Sequence, residues 1–254
     1  MPRFLVGATE DTWDFDAAYE AAKDGDIIEF TPNLIMNFTK EPFTEITKNI
    51  TIIGHVEGNT FLNTITGKIK ISNKAKVTFQ NLWMSVLENH NMFRIAGESE
   101  VTFENCVLQS EFSSNEYFLL LSEEKSKVNF KNFTTKLPDK HQLGMKFVHS
   151  TVSIQNSTIQ NRLWIRENSE LEFVRSRMEC SRPKSVWSED SKLTIISSQI
   201  YGTFEEGTNP VLDINQSEIN LEDSVVEGVG TNYYTILLQS GSRGVLKNLT
   251  VSFM

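Results

Sequence analysis

Five cations and two tryptophans carry the most suggestive chemistry in this chain. Lys70, Arg94 and Lys146 sit between apolar residues in the stretches IKI, FRI and MKF. Arg162, Trp164 and Arg166 share RLWIR, and Trp187 stands in VWS. Alternation of this kind turns the middle residue away from the apolar face of a strand, so these side chains would share one outward face if the segments stack. Arginine grips carboxylate or phosphate through paired N–H donors, and tryptophan adds contact area. A strip of this composition predicts docking of an acidic segment of a protein partner, with an acidic glycan as the alternative ligand.

Catalysis on a sugar acid would need more: carboxylates at fixed separation, or an acid cluster beside a basic residue. The doublets Glu123 with Glu124, Glu189 with Asp190 and Glu205 with Glu206 fall between apolar stretches on different segments, where solvation is expected. His55, His90, His141 and His149 are scattered. There is no Gly-rich phosphate loop, CxxC pair or His-rich tract, so no catalytic residue is assigned and neither metal nor cofactor is implied. Cys106 and Cys180 lie inside apolar patterns and read as small buried hydrophobes.

The whole-chain charge narrows the partners further. With 24 Lys and Arg against 33 Asp and Glu, the net charge of −9 excludes a surface built as a whole to hold nucleic acid. No apolar run approaches the roughly 20 residues that span a bilayer, so no membrane association is expected. The opening MPRFLVGATEDTWDFD has one Arg and a very short apolar run before acids appear, unlike a secretory signal, and a cytoplasmic location is expected.

The elements that must position the strip are written as a repeat. KVTFQNLWM, from Lys76, and EVTFENCVL, from Glu100, are nearly one phrase. Aligned on its Asn, the positions Gly54, Asn81, Asn105, Asn132, Asn156, Arg175, Ser197, Asp223 and Asn248 fall in register, about 19 to 27 residues apart. Apolar residues stand four and two places before them, such as Val77 with Phe79, Val101 with Phe103, and Val128 with Phe130. Only the last repeat departs, with Gly244 before Leu246. A second short strand is expected before each of these, as in Ile69 with Ile71 or Leu163 with Ile165, and a third after the anchor, as in Leu82 with Met84.

Three short strands per turn, apolar inward and polar outward, predict an all-β solenoid of about nine to ten parallel coils, a rod of about 45 Å. Asn at the bend tolerates left-handed backbone and can bond its equivalent one coil away. Arg175 and Ser197 in that position predict interruptions of the ladder. In DTWDFDAAYEAAKDGDIIEF, Phe15, Ala18, Tyr19 and Ala22 recur at helical spacing, Asp14 is placed to cap, and Gly25 is the expected stop. The chain thus reads as one domain over 1–254, with a helical N-terminal cap over 1–25 and coils over 26–254.

AAYEAAKDGDIIEFTPN, then NITIIGH, then the repeats, resemble the pectin lyase-like superfamily of right-handed parallel β-helix proteins. That resemblance covers nearly the whole chain and implies the fold. Members of the superfamily include lyases and hydrolases of acidic polysaccharides, but the paired acids, Gly-His-Gly and Arg-Ile-Lys of the polygalacturonases have no counterpart, the nearest match being Arg94-Ile95-Ala96. The head of the chain is also similar to β-helix modules of intracellular bacterial proteins with ATPase domains, which implies an ATPase domain or subunit as partner. The chain stops at LTVSFM inside its last third strand, so end-to-end self-association, or continuation in a longer protein, is expected. The expectation from sequence is a non-catalytic interaction scaffold, with a lyase, hydrolase or binding protein for an acidic glycan as the alternative.

Overall fold

Period-two alternation makes each short segment bury every other side chain, and a coil of three such segments encloses them only when the next coil stacks on it. A computed structural model of the chain shows that stack. It describes residues 1–87, 90–110, 117–136, 144–181, 184–203, 210–229 and 235–253. His141, Glu205 and Glu206 lie outside the described residues. Among the described residues, three parallel sheets of 11, 10 and 9 strands run along the molecule, here called A, B and C, with a small antiparallel hairpin formed by Val56–Glu57 and Thr60–Phe61. The strand before each anchor belongs to sheet A, the strand after it to sheet B, and the third to sheet C. Among the described residues, no helix is long and apolar enough to cross a membrane.

The interior is one continuous apolar column. Phe79, Phe103 and Phe130 lie in register on neighbouring strands of sheet A, at most 1% exposed. Their rings stack at 5.4 and 5.3 Å with an interplanar angle of 11° in both pairs. On the outer side of the same sheet Lys76, Glu100 and Lys127 stand opposite one another, as do Lys192, Glu218 and Arg243. Opposite charges on adjacent strands favour this register over a slip of one coil.

The corner after sheet A corrects one expectation. The anchors are left-handed at Asn81, Asn105, Asn132 and Asn156, and equally at Arg175 (φ 46°), Ser197 (φ 49°) and Asp223 (φ 50°). Side-chain bonds between successive anchors are few: Asn105 Nδ2 donates to Asn81 Oδ1 at 2.6 Å and Asn248 Nδ2 to Asp223 Oδ1 at 2.8 Å. The continuous ladder is instead the backbone. Each anchor N–H from Gly54 to Asp223 donates to a carbonyl one coil on, Arg175 to Ile196 and Ser197 to Glu222, both at 3.0 Å, so the backbone ladder runs through these two residues although the side-chain bonds do not.

Buried serines reinforce two corners. Directly after the anchors, Ser157, Ser176, Ser198 and Ser224 each donate Oγ–H to the carbonyl two residues back. Phe133, Ser157, Ser176 and Ser198 in turn donate their N–H to the serine oxygen of the following coil, at 3.1 Å in each case. Ser150, Ser169, Ser191 and Ser217 do the same at the corner before sheet A, donating N–H to Ser169, Ser191, Ser217 and Ser242. Buried polar groups are tolerated when paired, and each of these eight serines is; Ser99 and Ser126, at the corner before sheet A in earlier coils, are buried with hydroxyls that find no partner.

Cys106 occupies the serine position, with Sγ 3.3 Å from the Glu104 carbonyl and 3.4 Å from that of Phe79. Both cysteines are buried, as expected. Burial raises the Cys106 thiol from its ordinary 9.0 to about 12. Between those values the unfolded chain releases a proton that the folded chain keeps, so stability should fall as pH rises through that window and be constant below it. Iodoacetamide at pH 8 should leave Cys106 unmodified in the native protein and alkylate it in urea; modification at equal rates in both would show an accessible thiol.

At the N-terminal end, helix α1 (Phe15–Ala21) covers the first coil. Asp14 caps it, accepting from the Ala17 N–H at 2.9 Å, and Phe15 and Ala18 are buried. The helix stops at Ala22, in extended backbone, rather than at Gly25. Lys48 holds its last carbonyls: Nζ donates to Tyr19, Glu20 and Ala22 at 2.7, 2.9 and 2.9 Å, where a cation also meets the negative end of the helix dipole. In the last coil Gly244 answers to close approach, because a Cβ there would meet Ile219 Cγ2 at 2.5 Å. Leu238, Leu246 and Val251 occupy core rows of that coil and are 42%, 52% and 49% exposed.

A candidate binding strip on sheet C

Sheet C strands carry their apolar residues inward at Ile69 and Ile71, Phe93 and Ile95, Met145 and Phe147, and Leu163 and Ile165, all buried. The residue between each pair therefore points outward, and register then decides its neighbours. Lys70 lies opposite Arg94, Arg94 opposite Leu121, Leu121 opposite Lys146, Lys146 opposite Trp164, and Trp164 opposite Trp187. Five of the seven residues singled out from sequence thus form one lane along the solenoid axis. Arg166 stands in the next lane, opposite Glu189, and Arg162 immediately precedes the strand Leu163–Arg166.

The two indoles meet at 4.8 Å and 64°, and Phe118 packs edge-on against Trp164 at 5.3 Å. Cations roof this cluster. Lys146 Nζ is 5.5 Å from the Phe118 ring centre, and the Arg166 guanidinium and Lys184 Nζ are 5.3 and 4.9 Å from that of Trp187. A cation above an aromatic face is held by the ring quadrupole. Trp164 and Trp187 are half-buried.

Carboxylates on the same face pair with most of the cations. Lys70 Nζ is 2.8 Å from Glu45, Arg94 Nε donates to Glu123 at 2.7 Å, and Arg166 Nε to Glu189 at 2.7 Å. The Lys70 ammonium and the Ser72 hydroxyl, in that order, hold the Glu45 carboxyl below its ordinary range. Lys146 has no carboxylate within 4.0 Å among the described residues. Glu123 and Glu189 correct the expectation of solvated doublets: they are half-buried ion-pair partners, because the left-handed bend follows them at Glu124 and Asp190 and leaves the first acid over the sheet.

Three members of the strip were not singled out from sequence. Phe118 precedes the strand Leu120–Ser122, Lys184 precedes Val186–Glu189, and Asp213 lies in the main lane opposite Trp187. Asp213 is 2% exposed and accepts from Gln239 Nε2 at 2.6 Å, with Lys184 Nζ at 2.7 Å. The alternation Leu212, Asp213, Ile214 carries the signal that would have found it. Among the described residues the histidines stay apart: His55 Nε2 is 3.3 Å from Glu29, and His149 Nδ1 is 3.7 Å from Glu167. Among the described residues no three His, Cys, Asp or Glu side chains gather as a metal site would require.

No protein-family model matches the sequence, and no curated protein matches it. Solved structures do. The PL6 family alginate lyase AlyGC superposes with a TM-score of 0.58 at 12% identity, and a point mutant of that enzyme with 0.62 at 12% identity. Each alignment covers 98% of this chain and 39% of the enzyme's, so the chain spans about two fifths of the length of the proteins it matches. At this identity the likeness is one of fold, and it agrees with the pectin lyase-like resemblance of the repeats.

Proposed function

We propose that the chain binds an acidic polysaccharide along the sheet C strip. The observation that carries this reading is the single lane in which Lys146, Trp164 and Trp187 stand on successive coils, with two indoles side by side and cations about them. A sugar ring offers an apolar face to an indole, and a uronate adds a carboxylate that an ammonium or guanidinium can take in a charge-assisted bond. On a chain of net charge −9, this face gathers Lys70, Arg94, Lys146, Arg166 and Lys184 against Glu45, Glu123, Glu189 and Asp213. The fold shared with enzymes that act on alginate, itself a polyuronate, supports the choice of ligand. Docking of an acidic protein segment, the first expectation from sequence, uses the same cations but gives the paired indoles no specific role.

Titration with alginate oligosaccharides, followed by tryptophan fluorescence, tests the reading against a neutral glucan of equal length. Binding of the uronate alone, weakened at least tenfold by Trp164→Ala and by Lys146→Gln and diminished by salt, is the expected result. Equal affinity for the neutral glucan, affinity untouched by both substitutions, or tighter binding of a polyglutamate peptide would overturn it. Ultraviolet absorbance of an unsaturated product in the same mixtures separates a lyase from a binding module.

A further inference from the structure

The lane that carries the strip has ends. Resting on the polysaccharide reading, we propose that this face accepts a finite segment of polymer, about five sugar units long, laid along the solenoid axis. Successive outward positions of sheet C are one strand spacing apart, about 4.8 Å, comparable to one pyranose in a 1→4-linked chain. From Lys70 to Trp187 the register takes five steps, about 24 Å.

A carboxylate stands just beyond each end. Opposite Lys70 on the outer side lies Glu45, kept ionised by the same ammonium and by Ser72. Opposite Trp187 on the outer side lies Asp213, buried between Lys184 and Gln239. The cation at each end is thus already engaged by its own acid. A polyuronate extended past either end would bring its carboxylates toward fixed carboxylates, where like charges repel, and Leu237 is the next residue of the lane after Asp213. Within the lane five of the six positions offer a cation or an indole, Leu121 being the exception. Beyond it, added units gain nothing.

Calorimetric titration with alginate oligosaccharides of two to eight units, at one salt concentration, reads this directly. The association constant should climb with each unit to about five and change less than twofold thereafter. Lys70→Gln should bring the plateau to a shorter oligomer from one end and Trp187→Ala from the other, with thermal melts confirming that each variant is folded. Affinity that keeps climbing to eight units, or that is already maximal for the dimer, overturns the finite segment while the binding reading stands. No binding at any length removes both.

Discussion

Phe103→Ala should lower the unfolding free energy by about 3 to 5 kcal/mol, the largest loss of stability from any single substitution considered for this protein. The ring is 1% exposed and lies between Phe79 and Phe130, with Phe93 edge-on at 5.0 Å and Phe133 at 5.7 Å. Removing it takes away the transfer free energy of a large apolar group and two stacked contacts at once. The void cannot close readily, because the coils above and below are held at one strand spacing by continuous backbone ladders. Urea denaturation of wild type and variant measures the difference. A loss below about 1 kcal/mol would mean that the coils collapse into the gap, and hence that the stack is far softer than its hydrogen bonds imply.

Gly144→Ala should cost both binding and stability. A Cβ at Gly144 would lie 2.0 Å from the Arg162 carbonyl oxygen and 2.5 Å from Asn161 Nδ2, so the backbone of one coil must move away from the other. That contact sits at the head of the strands that bear Lys146 and Trp164, where Met145 N–H bonds the Arg162 carbonyl at 3.0 Å. We expect an overpacking cost of about 1 to 3 kcal/mol and, because the lane is split at its centre, at least a tenfold loss of affinity for uronate oligomers. Gly58 provides the control. Nothing lies within 4 Å of a Cβ there, so Gly58→Ala carries only the strain of φ +57°, about 1 kcal/mol, and should leave binding unchanged. Equal affinity losses in both variants would show that the effect is global rather than local to the lane.

Much of the architecture was legible because its cause is local. Val101 and Phe103 must face one way and Thr102 the other on any extended strand, whatever surrounds them. The same rule placed Lys70, Arg94, Lys146, Trp164 and Trp187 on the outside. It could not show that Glu123 folds back onto Arg94 or that Asp213 draws Lys184 over Trp187, since each acid lies 29 residues from its cation and the coils differ in length. Nor did it reveal the serine ladders. A serine after an anchor looks like any surface polar residue until the preceding coil supplies the N–H that it accepts.

Alternation along the chain, then, settled the three-strand coil, the apolar column and the side from which the strip faces solvent, because side-chain direction is a property of the pleat itself. Only the stacked structure decided which cations keep a carboxylate, which indoles touch, where the lane ends, and that Arg175 and Ser197 turn their corners as readily as asparagine. Those outcomes depend on distances between residues a full turn apart, and a full turn becomes one strand spacing only when coil lies on coil.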